Sequence, residues 1–122
     1  MVVPYHRPDI LLIGRNWSPR ALLRAQLIEE GFDVVAVDSW SDARRCFLRG
    51  DRPRAVVVDL QGLPHPEAVL RELGAIMDVT RVFLIAAEGT VPPETAAALG
   101  FHVLRRPLEV GQVVAAVAHV LR

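Results

Sequence analysis

Five short apolar runs, rich in β-branched residues, recur along the chain at 10–13, 32–37, 55–58, 81–86 and 101–104. Each is continuous rather than alternating in polarity. A strand covered by helices on both faces has no solvent side to mark with polar residues, so such runs belong to a parallel sheet. The stretches between them carry helical spacing. In 18–31, "SPRALLRAQLIEEG", Ser18 can cap, Pro19 suits the first turn and Gly31 can end the helix. Ala43, Cys46, Phe47 and Gly50 fall on one stripe of the second helix, and Val69, Leu73, Ile76 and Met77 on one stripe of the third. "PPETAAALG" makes a short fourth helix between Pro92 or Pro93 and Gly100, and the last segment aligns Val110, Val113, Val114, Val117 and Leu121. This βα alternation predicts an α/β fold: a doubly wound, five-stranded parallel sheet of flavodoxin-like type, with right-handed crossovers.

A chain of 122 residues is the size of one domain, taken here as 1–122, and is long enough to bury a full core. Its formal net charge is zero, which argues against a nucleic-acid-binding stripe. The single cysteine, Cys46, fits a reducing compartment. The N-terminus lacks the pattern of a secretory signal, and no apolar run reaches the length of a membrane span. The expectation is a cytoplasmic protein that acts on neither membrane nor nucleic acid through this domain.

In sheets of this kind the reactive groups gather beyond the carboxyl ends of the strands, where the winding reverses. Asp59 ends the third run, Gly14 and Arg15 follow the first, and Ala86 and Arg105–Arg106 follow the fourth and fifth. Each polar residue there sits at the one sheet edge where it is useful.

The order and spacing of these segments resemble a response-regulator receiver domain over nearly the whole chain. The resemblance rests on the interval from Ile13 to Gly31, on "PRAVVVDL", on "FLIAAEG" and on "VLRRPL". It implies a signalling domain of a two-component system or phosphorelay. In that family an aspartate ending the third strand accepts a phosphoryl group, with Mg²⁺ held by an acidic pair after the first strand. A hydroxyl after the fourth strand and a lysine before a proline after the fifth bind the phosphoryl oxygens. Asp59 matches the phosphoacceptor. The acidic pair falls on Gly14 and Arg15, the hydroxyl on Ala86, the lysine on Arg106 before Pro107, and the aromatic switch position on Val103. The loop after Asp59 is also altered, because Pro64 comes one residue late.

These departures weigh against metal chemistry. Mg²⁺ seeks octahedral oxygen ligands, and phosphoryl transfer depends on cations that neutralise charge on the moving group. One carboxylate remains, and Arg15 brings positive charge where a dication needs negative neighbours. The chain has no lysine at all, so Arg106 alone could reflect coding bias; the lost acids and hydroxyl could not. A half-buried carboxylate still needs a partner, and Arg15 and Arg106 are the two candidates. A guanidinium is expected where the metal would sit, with Mg²⁺ binding weak or absent and no other cofactor.

Other features carry bland readings. His6, His65, His102 and His119 lack zinc-site spacing. Cys46 reads as packing, and Trp17 as a residue at the rim of the site or in helix packing. "GRNWSPR" lacks the glycine spacing of a phosphate-binding loop, which disfavours a nucleotide or flavin enzyme. The "TAAALG" stretch of the fourth helix carries no charge, and polar residues around the last helix are few, chiefly Gln112 and His119; Val103, Gln112, Ala115, Ala116 and His119 are therefore the expected docking face for a protein partner, an output domain or a second copy. The resulting expectation is a non-enzymatic, pseudo-receiver interaction domain. The alternative is a conventional receiver phosphorylated on Asp59.

Overall fold

The computed structural model describes residues 7–50, 52–106 and 108–122; His6 and Pro107 lie outside them. Strands β1 (Ile10–Ile13), β2 (Val34–Val37), β3 (Ala55–Asp59), β4 (Val82–Ile85) and β5 (His102–Leu104) alternate with α1 (Trp17–Glu29), α2 (Trp40–Leu48), α3 (Pro66–Ile76), α4 (Pro93–Ala98) and α5 (Val110–Leu121). All the strands are parallel, in the order β2-β1-β3-β4-β5. From β1 the chain first steps to β2 and then crosses back to β3. The winding therefore reverses between β1 and β3, and Asp59 ends one of those two strands while Gly14 follows the other.

Successive side chains on a strand point to opposite faces, and this splits the apolar runs into two cores. Ile10, Leu12, Ala55, Val57, Phe83 and Ile85 pack under α1 and α5. Leu11, Ile13, Val56, Val58, Val82 and Leu84 pack under α2, α3 and α4. The continuous β3 run is thus buried on both sides.

Two strands begin later than their apolar runs, for one shared reason. At the end of α1, Gly31 adopts φ +97° while its N–H donates to the Ile28 carbonyl (2.9 Å) and the Phe32 N–H to that of Leu27 (3.2 Å). At the end of α4, Gly100 repeats the φ of +97°, and the Phe101 N–H donates to the Ala96 carbonyl at 3.3 Å. Both are left-handed helix stops in which the next residue folds back onto the last turn. Phe32 and Phe101 are consequently buried as helix stoppers, and β2 and β5 start beyond them. Gly100 is doubly constrained, since a Cβ there would lie 2.8 Å from a methyl of Val79.

Ser18 is not the cap of α1. The helix starts earlier, with Asn16 at the N-cap and the Arg20 N–H donating to its carbonyl at 3.2 Å. Pro19 then occupies the third helical position, where an N–H would have no partner in the helix. Gly50 also leaves its predicted stripe: it ends α2 at φ +83° and is exposed. Leu70, rather than Ile76 or Met77, completes the buried side of α3 with Val69 and Leu73.

Arg81 leaves the fourth strand run for a 3-10 turn, Val79–Arg81, capped by Asp78. The Asp78 carboxylate accepts from the Thr80 hydroxyl (2.7 Å) and backbone N–H (3.0 Å). These bonds, the hydroxyl first, hold its carboxyl below the usual range. A depressed folded-state pKa contributes stability above the ordinary carboxylate range and loses it as pH falls through the lowered value. Thermal melts of Thr80→Val will show less acid-side loss than the wild type.

Candidate functional site

Asp59 is the last residue of β3, paired in register with Ile85, and is only 9% exposed. A buried carboxylate must have its oxygens satisfied. One oxygen, Oδ1, accepts the Gln61 backbone N–H at 3.0 Å, which bends the chain out of the strand. The charge is met by Arg106: its Nη2 lies 3.3 Å from Oδ1 and 3.2 Å from Oδ2. Its Nη1 donates to the Ala86 carbonyl at 2.6 Å. The guanidinium therefore bridges the ends of β3 and β4, with one nitrogen straddling the carboxylate and the other on backbone. The contact is not a two-nitrogen fork on the carboxylate, because the second nitrogen is used by Ala86.

Arg15 does not join the pair. It is exposed and runs beside the β3–α3 loop, where a Cβ at Gly62 would lie 3.6 Å from its own Cβ. The second guanidinium at this edge is instead Arg20, one turn into α1. Its Nη1 donates to the Gly14 carbonyl at 2.6 Å. The sequence carries no local sign of this role, although "GRNWSPR" contains both arginines; the contact depends on how α1 lies against the end of β1. Gly14 itself is not demanded by space, since a Cβ there would sit 3.8 Å from that of Asp59 and 3.6 Å from that of Arg20.

The residues present do not fit the Mg²⁺ that the receiver resemblance implies. Asp59 is the carboxylate that ends β3, and a positive nitrogen stands 3.2 Å from it. Among the described residues no three of His, Cys, Asp and Glu cluster as metal ligands. Ala86 offers a carbonyl already in use and no hydroxyl. The nearby Thr90 hydroxyl donates to the Ala87 carbonyl at 2.6 Å. The arrangement holds the Asp59 carboxylate between strand ends through Arg106 and the Gln61 N–H.

The pair has a testable worth. Removing one partner of a fully buried pair costs about 3–5 kcal/mol, but the Arg106 side chain is 40% exposed. Solvent screening discounts that figure, and Arg106→Ala should cost about 1–2 kcal/mol. Chemical denaturation of Arg106→Ala, Asp59→Asn and the double variant will show the double costing less than the sum of the singles.

The remaining site candidates separate. His65 caps α3 in a left-handed conformation at φ 50°. His102 stacks on Phe83, and its Nε2 lies 2.7 Å from the Thr80 carbonyl oxygen. His119 is exposed on α5. Cys46 is buried in the α2 side of the core. Trp17 is 71% exposed, so it does not pack the start of α1.

On the expected docking face, Ala115 and His119 are exposed, while Val103 and Ala116 are half-buried against opposite cores. Gln112 is used in a capping box with Glu109, its Oε1 accepting the Glu109 N–H at 2.6 Å. Leu99, at the end of α4, is 61% exposed and was not anticipated. Arg105 reaches Glu94 at 3.0 Å and ties the end of β5 to the start of α4.

No family model matches the sequence, and no curated protein does. Solved structures do match in fold. A signal receiver domain from Vibrio parahaemolyticus superposes with a TM-score of 0.77 at 25% identity, covering 95% of this chain and 91% of its own. A response regulator receiver domain from Clostridium thermocellum gives a TM-score of 0.78 at 20% identity, covering 92% of each chain. The receiver domain of NtrX from Brucella abortus gives 0.75 at 22% identity, covering 93% of this chain and 98% of its own. The chain therefore has the receiver-domain fold of response regulators. Within that fold it is a version whose strand-end aspartate is held by arginine.

Proposed function

We propose that this is a pseudo-receiver: a cytoplasmic, non-enzymatic signalling domain that presents a surface to a protein partner or output domain and is not switched by Mg²⁺-dependent phosphorylation of Asp59. The observation that carries this reading is Arg106 Nη2 at 3.3 and 3.2 Å from the two Asp59 oxygens. A cation on that carboxylate would have to displace the guanidinium and tolerate it nearby, at a Coulomb cost that low dielectric magnifies. The missing acids and hydroxyl at Gly14, Arg15 and Ala86 support the same reading, since charge on a transferring phosphoryl group would lack its usual neutralisers.

The surface proposed for docking spans α4, β5 and α5, with Leu99, Ala115 and His119 exposed on it. It suits a partner protein or a second copy, and sedimentation over a wide concentration range tests the homodimer. A strict monomer at high concentration removes that version.

Incubating the protein with a small phosphodonor and Mg²⁺ should leave its intact mass unchanged. A gain of one phosphoryl group that disappears in Asp59→Asn would establish the alternative, a conventional phosphorylated receiver.

A further inference from the structure

A pocket of about 160 Å³ opens at the carboxyl edge of the sheet, reached from α1 and α5, with Asp59 and Arg106 in its wall. Its depth is apolar: Leu12, Leu23, Ile85 and Val113 line it and are themselves buried. Its polar wall is completed by Arg20. Asp59 balances Arg106 at 3.2 Å. Arg20 has no ion pair among the described residues, and its hydrogen bond goes from Nη1 to the Gly14 carbonyl. The wall therefore carries one positive charge in excess, on a half-buried guanidinium with donors to spare.

Charge and size together specify a ligand. A poorly hydrated cation beside an apolar cavity favours an anion that can offer it a charge-assisted hydrogen bond. A dry cavity of about 150 Å³ is large enough to hold benzene, so the space admits a small hydrocarbon body and excludes a nucleotide. We infer that this pocket binds a small apolar monocarboxylate, aromatic or branched, with its carboxylate on Arg20 and its body against Leu12, Leu23, Ile85 and Val113. The inference rests on the metal-free reading of the Asp59–Arg106 pair, because a cation on Asp59 would release Arg106 to compete for the same anion.

Benzoate is the probe, used on the full chain in calorimetry and thermal melts at constant ionic strength. It should bind saturably and raise the melting temperature. Arg20→Gln should weaken it at least about tenfold, the scale of a lost charge-assisted bond. Benzyl alcohol, of the same shape but neutral, should bind at least about tenfold more weakly for the same reason. Inorganic phosphate should give no shift beyond that of sodium chloride. Val110→Phe, which fills the pocket from α5, should abolish benzoate binding while Arg20 remains. The inference is overturned by the absence of a saturable benzoate signal, by benzyl alcohol or phosphate matching benzoate, or by undiminished binding to both variants. A parallel Mg²⁺ titration separates the two levels. If neither Mg²⁺ nor benzoate binds, the ligand inference alone is lost; if Mg²⁺ binds, the metal-free reading is lost first.

Discussion

Replacing Gly14 and Arg15 with aspartate, Ala86 with threonine and Arg106 with lysine is expected to raise the affinity of this chain for Mg²⁺ sharply. The backbone permits the change. A Cβ at Gly14 meets its nearest neighbours at 3.6 and 3.8 Å, which is ordinary contact, and Arg15 is already exposed. The electrostatic balance then inverts. Two carboxylates join Asp59, one positive charge leaves the edge, and lysine withdraws the planar fork from the carboxylate. At an effective dielectric near 20, one unit charge about 5 Å from a dication is worth several kcal/mol, so affinity should rise at least about a hundredfold. Calorimetric titration of the wild type, of Arg106→Lys alone and of the four-site variant will decide. The single change should not suffice, because it supplies no ligand. Wild-type affinity equal to that of the four-site variant would show that the Asp59–Arg106 pair yields readily to metal.

The largest stability effect is expected at Phe83. It lies wholly buried in β4, flanked by Val57 of β3 and His102 of β5, with its ring stacked on His102 at a centroid distance of 4.7 Å. Phe83→Ala removes a ring from the α1–α5 core and leaves a cavity that the sheet backbone cannot close, at a cost of about 3–5 kcal/mol. For a chain of this size that lowers the melting temperature by about 10 °C or more. Leu48→Ala is the counterpart. Leu48 is 78% exposed at the end of α2, and its loss should stay within about 0.5 kcal/mol. Comparable effects at the two positions would contradict the two-layer core.

The strand pattern was legible in β1, β3 and β4 because burial on both faces erases polarity along a run; the edge strands β2 and β5 keep apolar runs although they are only partly buried. The errors have a common source. Phe32 and Phe101 look like strand residues by type, yet each follows a left-handed glycine and closes a helix, a role set by backbone geometry rather than by hydrophobicity. Ser18 looked like a cap by type, but the chain turns into the helix at Asn16. Local composition carries little information about where a hydrogen-bonded turn begins.

The amino-acid order by itself determined the alternation of strands and helices, the placing of Asp59 at the reactive edge, and the loss of the acids and hydroxyl beside it. These follow from hydrophobic period and residue identity, which are local. Only the tertiary structure decided between Arg15 and Arg106, brought Arg20 to Gly14, and opened an apolar pocket behind them. A long side chain can reach in several directions, and its partner is selected by strands and helices that are distant in sequence and adjacent in the folded sheet.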